Sequence, residues 1–507
     1  MQFIRKTLAV ALLSVVGLVS VQAHAAGNLT VVQRQDPSNW DPVDTFLIAW
    51  GSIASNIYDG LVRRDENLVL QPGLAQSWEV LDDGLRIRFV LREGVSFHNG
   101  EPFNADAVKY TFDRLLGDVG SKGPQRSNYT SIEKVEVIDA TTVDMFLNKP
   151  DPVMLTKLSG YGAMIVPPAY IEEKGEEYFD MNPVGTGPFK FDSYTQNVEL
   201  KLTANADYFD GAPQLDGLTF RFIREDSTRL AELQSGGADV VSNVAFSAIP
   251  TIESSDYGRI EAVSGPTIYS FALKTKEGSV TSDVRVRRAL NMAIDKPALI
   301  DAFLAGRAKP ISSLQGELSF GHDPELEGYP FDPAAAMALL KEAGVKPGTL
   351  LTIDYRTGNA TFNEVTQAIS GFLSAVGFQV KLNPLEDAVF LNEIVPNGRT
   401  NELFQFNWGG WTFDFDNTAY LTYHDGEKWN PYGTSPEMNS LLEEQRLIAD
   451  VGEREKVLQQ IARLAHEEAY NIPLYVEDTV YAVANRVGNL APAPDNRMRY
   501  LTTTVAE

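Results

Sequence analysis

The sequence predicts a mixed α/β protein built as several lobes. Apolar, β-rich runs, LTFRFI (218–223), LLTIDY (350–355) and IPLYV (472–476), recur between amphipathic helical stretches, which favours α/β lobes over separate all-α and all-β domains. Hydrophobic residues make up 44% of 507, enough for large cores, and at roughly 100–200 residues per domain the length suggests two to four of them. No repeat, coiled coil or low-complexity tract stands out.

At the N-terminus Arg5 and Lys6 precede an apolar stretch from Leu8 to Val21, followed by Ala23-His24-Ala25. This order of charge, apolar run and small residues is that of a secretory signal peptide over 1–26, and the run is shorter than the roughly 20 residues that span a bilayer. The expected product is exported and soluble. Losing Arg5 and Lys6 makes the formal charge two units more negative than −25, which disfavours nucleic acid as a partner. The chain has no cysteine, so disulfides, thiolate metal sites and a lipid-bearing cysteine are all excluded. An exported protein without a lipid anchor stays with its cell only behind an outer membrane, so the expected compartment is the periplasm.

In SWEVLDDGLRIRFVLREG, from Ser77, two extended runs flank Asp83-Gly84, a pair that favours tight turns. Leu85, Ile87, Phe89 and Leu91 alternate with Arg86, Arg88 and Arg92, the period of a half-buried hairpin. Asn104 is placed to cap a helix whose Val108, Phe112, Leu115 and Leu116 form one apolar stripe. Further on, Val286, Ala289, Leu290 and Ala293 share a helical face; Asp295 then caps a second helix, with Pro297 in its first turn and a stop near Gly306. Pro436 opens a helix carrying Met438, Leu441, Leu442 and Gln445, and Asp450 with Glu453 resembles a capping box ahead of Val457, Ile461, Leu464 and Ala465.

The stretch LFQFNWGGWTFDFDN (403–417) carries the densest chemistry. Phe404, Phe406 and Trp408 alternate with Gln405 and Asn407; after Gly409-Gly410, Trp411, Phe413 and Phe415 alternate with Thr412, Asp414 and Asp416. A strand entering a Gly-Gly bend would set aromatics and carboxylates on opposite sides, and a carboxylate among aromatics wants a cation. The alternative is a packed core beside two acids in a solvated turn. Hydrolytic chemistry finds no support: Gly-x-Ser-x-Gly and His-Glu-x-x-His are absent, and His466-Glu467-Glu468 lacks the second histidine. Four histidines remain beyond the signal segment, at 98, 322, 424 and 466, and none is spaced for zinc. Gly185-Thr186-Gly187 lacks the lysine and hydroxyl of a phosphate loop and reads as a turn.

Several of these segments in order resemble the extracytoplasmic solute-binding protein family 5 of ABC importers, which holds oligopeptide, dipeptide and nickel binders. The densest match is AQSWEVLDDGLRIRFVLREGVSFHNGEPFNADAVKYTFDRL (75–115). NPVGTGPFKF (182–191), NADYFDG (205–211), LQSGGADV (233–240), VRRALNMAID (286–295) and ADVGEREKVLQQIARLAHEEAYNIPLY (449–475) extend it. The chain departs from the family pattern at Asn439, where aspartate is usual, and at Asp416-Asn417-Thr418, where proline often follows the aspartate.

The resemblance implies a large three-lobed periplasmic-binding-protein clamp of type II. Core lobe I would combine 27–55, 186–268 and 481–507; lobe II would be inserted over 56–185, and lobe III would run over 269–480. Crossings near 267–273 and 476–483 would act as hinges. In peptide-binding relatives the aspartate of Gly-Trp-x-x-Asp receives the peptide α-ammonium, so Asp414 is the expected partner. Gly410 and Thr412 would offer main-chain hydrogen bonds, and Trp411 with Trp408 would wall the site. Arg356 is available for a ligand carboxylate or for an exposed ion pair. The implied function is non-enzymatic delivery of a short peptide to inner-membrane ABC permease subunits and their ATPases, by a monomer without cofactor or metal. A metal chelate, a sugar or opine-like compound, or a glutathione-like ligand would suit the same fold, because ligand choice lies in the cleft residues. A periplasmic chaperone or a peptidase are the functions of a different class.

Overall fold

The computed structural model describes residues 27–506, so the expected signal segment lies outside the described residues. Among the described residues, no helix is long and apolar enough to cross a membrane.

The local signals fold as their chemistry dictates. The strands Ala75–Leu81 and Arg86–Leu91 pair antiparallel across a tight turn in which Asp82, Asp83 and Gly84 all take positive φ. Thr142–Leu147 and Ile132–Asp139 extend this hairpin to a four-stranded antiparallel sheet. The helix Ala105–Leu116 covers one face of it, capped by Asn104 Oδ1, which accepts from the Ala107 amide at 3.1 Å. Such a cap is worth about 1 kcal/mol. Asp295, Ser435 and Asp450 likewise cap the helices Lys296–Leu304, Pro436–Glu444 and Val451–Glu467. Ala305 and Gly306, both at positive φ, end the first of these three.

The largest sheet runs through most of the molecule. Its order is Gln379–Leu385, Leu350–Arg356, Leu403–Gly409, Gly258–Leu273, Asn471–Ala484, Val240–Val241, Asn28–Gln33, Gly217–Phe222, Glu199–Ala204 and Phe189–Thr195. Both outer thirds contain parallel pairs, while the two long central strands, Gly258–Leu273 and Asn471–Ala484, pair antiparallel along almost their whole length. Their register slips where Gly265, Pro266 and Thr267 together face Glu477 alone.

Apolar side chains gather in distinct cores along this frame. One packs Trp40, Trp50, Phe189 and Phe220 against Ala482 and Tyr500, joining the start, the middle and the end of the chain. A second fills the four-stranded sheet with Phe89, Phe112, Leu115 and Met145. The remaining two lie on opposite faces of one sheet region, as period-two alternation requires. Phe271, Ile353 and Leu403 face the helix Ala360–Ala375, whereas Ala272, Phe404 and Phe406 face Phe415–Tyr423 and Val451–Glu467.

Gly185-Thr186-Gly187 is a packing turn. Its backbone lies directly on Asn56 and Ile57: a Cβ at Gly185 would sit 2.1 Å from the Ile57 oxygen, and one at Gly187 2.6 Å from the Ile57 carbonyl carbon. His98 clamps the same turn. Its Nε2 lies 2.9 Å from the Gly187 oxygen and its Nδ1 accepts from the Gly185 amide at 3.4 Å, which selects the neutral Nε2-protonated ring. Burial pushes the His98 pKa down to about 4, so the ring stays neutral throughout the physiological range.

Gly187→Ala is therefore expected to destabilise the protein by about 1–3 kcal/mol, because rigid backbone and not a flexible side chain must yield. Gly371→Ala serves as the contrast. That glycine lies inside the helix Ala360–Ala375 with nothing within 4 Å of its added methyl. It should gain up to about 1 kcal/mol. Urea denaturation midpoints of the two variants would measure both.

Candidate functional site

Three cavities lie along the seam between the cores. The largest, about 530 Å³, separates the four-stranded sheet and its loops (Arg64, Leu70, Ile87, Leu155) from Phe320, Thr412, Asp414 and Arg454 on the other side. A second, about 420 Å³, lies between Arg63, Arg64, Gly160 and the C-terminal Asp495, Arg497 and Arg499. A third, about 270 Å³, borders the central strands around Glu477 and Thr479 and is closed by Gln33, Ser52, Asn496 and Tyr500.

The loop after the strand Leu403–Gly409 reaches into this seam. The Gly410 amide donates to the Pro266 oxygen at 3.1 Å, and the Phe413 amide donates to the Gly410 oxygen at 2.7 Å, closing a turn. Phe413 takes φ 50° and Phe415 opens the helix Phe415–Tyr423, so the second run of alternating aromatics is not a strand. Phe415 is fully buried, whereas Trp411 crosses the seam and packs on Gly160, where an added Cβ would lie 2.7 Å from the indole. Trp408 turns back to its own side, its Nε1 donating to Asn417 Oδ1 at 2.8 Å.

Arg64 joins the two sides of the seam. Its Nη1 and Nη2 donate to the main-chain oxygens of Trp411 and Thr412 at 3.0 and 2.6 Å, and its guanidinium lies 5.8 Å from the centre of the Phe413 ring. No carboxylate neutralises it directly; burial, aided by nearby Arg497, pushes its pKa down to about 10. The main-chain groups of Gly410 and Thr412, expected to meet a ligand, are thus engaged within the protein here.

Asp414 also has a partner of its own. Arg454 Nη1 and Nη2 donate to its two carboxylate oxygens, each at 2.7 Å, a bidentate pair in which both side chains are under one-tenth exposed. Asp414 additionally caps the helix Phe415–Tyr423 by accepting from the Asp416 amide at 3.0 Å. Asp416 is not in a solvated turn either: Arg446 grips it at 2.7 and 3.0 Å, and Gln445 donates to it. Arg454 Nε donates to Gln445 Oε1 at 3.1 Å, closing a chain of two carboxylates, two guanidiniums and an amide whose charges cancel. An incoming ammonium would have to compete with Arg454 for a carboxylate already neutralised.

Sequence reasoning missed Arg454, although a signal was present. Arg454 shares the buried face of its helix with Val457, Leu458, Ile461 and Ala465, and an arginine on an apolar stripe implies a buried acid opposite. Arg356, at the end of the strand next to the sheet edge, lies 3.9 Å from Asp387 in a partly exposed pair. Among the described residues, no group of three or more His, Cys, Asp or Glu is arranged to hold a metal.

Removing one member of a buried pair leaves the other uncompensated, at a cost of about 3–5 kcal/mol. Asp414→Asn should therefore lower the stability of the unliganded protein by that order, and combining it with Arg454→Met should cost less than the sum. A carboxylate waiting for a ligand would instead leave unliganded stability unchanged. Thermal midpoints without ligand separate the two outcomes.

Comparison with known proteins covers nearly the whole chain. Residues 69–430 match the family described as bacterial extracellular solute-binding proteins, family 5. The glutathione-binding protein GsiB of Shigella dysenteriae is 29% identical over 497 residues, covering 96% of each chain. Among solved structures, HbpA2 of Haemophilus parasuis superposes with a TM-score of 0.86 at 25% identity, covering 95% of this chain and all of that one. AgaA of A. tumefaciens R10, determined with agropinic acid, gives a TM-score of 0.75 at 26% identity, covering 95% and 99% of the two chains. The family match over most of the chain, the shared fold and the seam of cavities agree, and this chain belongs to family 5 of the bacterial extracellular solute-binding proteins, the solute-binding components of ABC importers.

Proposed function

We propose that the protein takes up a short peptide or peptide-like solute in the seam between its cores and presents it, chemically unchanged, to an inner-membrane ABC permease. The observation that carries this reading is the set of three cavities between the cores, the largest of them bordered by Thr412 and Asp414, with two long strands linking the halves on either side. In this reading the lobes are 27–55 with 186–268 and 481–507, 56–185, and 269–480. They move about the central strands near the register slip. Trp408, Gly410, Trp411 and Thr412 form the wall that meets the solute, and Asp414 holds that wall in place through Arg454.

Relatives support the solute class. GsiB is named for glutathione, a tripeptide, and AgaA was determined with agropinic acid, an amino-acid derivative. The second of these favours an opine-like solute as the alternative. No chemistry is proposed: both acids of the loop are tied to arginines, which removes them as general bases. The site of action is the periplasm, reached through a cleaved signal segment that leaves a mature chain beginning near Ala26 or Gly27, as a monomer without a lipid anchor.

Denaturing the purified protein and identifying the released small molecules by mass spectrometry should yield an intact peptide or amino-acid derivative in near-stoichiometric amount. Recovery of cleaved peptide would restore an enzymatic reading, and a sugar or metal chelate would replace the solute class. With that solute at saturation, the radius of gyration from X-ray scattering should fall; an unchanged value counts against closure of the lobes.

A further inference from the structure

The smallest of the three cavities carries a charge that the rest of the seam does not balance. Its walls include Glu477 and Asp478 but no lysine, arginine or histidine, and its other polar groups, among them Gln33, Ser52, Asn243, Thr267 and Asn496, are uncharged. Alternation along the strand Asn471–Ala484 separates the two acids. Glu477 shares a face with Tyr475, Thr479 and Tyr481, while Asp478 turns to the other face, where Arg307 and Lys309 offset it. Glu477 is therefore the carboxylate that faces the cavity without a counter-charge. The Tyr269 hydroxyl hydrogen-bonds the carboxylate and Tyr475 lies beside it; the nearest charge is that of Asp478 on the other face, and none of the three is a cation.

Its position is mechanically special. Glu477 alone stands opposite the Gly265-Pro266-Thr267 bulge, the larger of two places where the connecting strands slip register. Pro266 accepts from the Gly410 amide, so the cavity adjoins the Gly-Gly bend of the loop. An orphaned group lies in the same wall: the hydroxyl of Tyr500, a fully buried side chain, has no hydrogen-bond partner among the described residues.

We infer that this cavity binds the cationic group of the solute, an ammonium or a guanidinium, on the Glu477 carboxylate, with Tyr500 and the surrounding amides completing its hydrogen bonds. The inference rests on the solute-receptor reading and names the chemical class that reading leaves open. It also moves the cation-receiving role from Asp414, which Arg454 has already neutralised, to an acid with no such partner. Burial holds the Glu477 carboxyl at about 7, with Asp478 adding to the rise, so the solute-free site is largely protonated in mildly acidic solution. A cation favours the ionised form, and its binding should strengthen as pH rises through that value and release a proton below it. In the free protein this raised pKa has the opposite sign for stability, which falls as pH rises from the ordinary glutamate range towards 7.

The test uses calorimetry on the full secreted chain with matched probes: Ala-Ala-Ala against its N-acetyl form, Ala-Arg-Ala against Ala-citrulline-Ala, and the simple amines agmatine and putrescine. The cationic member of a pair should bind at least about tenfold tighter, and Glu477→Gln should erase the difference. Asp478→Asn, on the opposite face, should leave it within about threefold. Glu477→Gln should not lower the melting temperature of the free protein, because it removes a charge that burial disfavours. If amines bind in a Glu477-dependent way while no peptide does, this inference stands and the peptide reading falls. Equal binding of both members of each pair, discrimination that survives Glu477→Gln, no preference for any cation, or recovery of a native solute without a cationic group would each overturn it.

Discussion

The antiparallel pairing of Gly258–Leu273 with Asn471–Ala484 is the constraint on which the remaining architecture depends. Both strands belong to one continuous sheet, yet their ends are buried in different cores: Ala482 and Val483 pack with Trp50 and Phe220, while Phe271 and Leu474 pack with Ile353 and Phe362. The two halves of the molecule are therefore joined by backbone hydrogen bonds at a place where the strand residues are only half-buried. A slip of register at Gly265-Pro266-Thr267 leaves ladder bonds unmade there. A bulge bends a strand and weakens pairing locally, so motion between the halves concentrates at that point.

From this arrangement follows the division of labour among the acids near the seam. Asp414 and Asp416 lie on the loop and helix that carry the aromatic wall, and each is matched by an arginine from the next helical layer. Those bonds orient the wall by taking the side chains out of contention for other charges. Glu477 sits on the connecting strand itself, where no basic side chain reaches it. A desolvated carboxylate without a cationic partner is held neutral or takes up a cation, and in a cavity that opens to solute both outcomes are accessible. The matched acids stabilise and the unmatched one discriminates. Arg64 is their counterpart on the opposite wall, a guanidinium satisfied only by two carbonyl oxygens.

Much of this was readable from the chain alone, because short-range rules decide it. The turn at Asp83-Gly84, the caps at Asn104, Asp295 and Asp450, and the helical stripes depend on side chains three or four residues apart or on dihedral preference. The ordered motifs identified the family, and the alternating aromatics of 403–408 marked a strand at the seam. Composition excluded disulfides and thiolate metal sites outright, since no cysteine exists to form them. The period-two pattern failed just past Gly410, where the positive φ of Phe413 and the helix starting at Phe415 interrupt it.

What only the tertiary structure decided was which charges meet. Arg454 is 40 residues from Asp414, and Arg64 is 347 from Trp411, so no local spacing rule could connect them. The sequence shows that an acid among aromatics needs a cation; it does not show whether the protein or the solute supplies it. For Asp414 the protein does, through a helix docked on the far side of the loop. For Glu477 it does not, because the strand that carries it lies between cores and beyond the reach of their basic side chains. Sequence determined the elements and the family through local stereochemistry, whereas the balance of buried charge was settled by long-range packing.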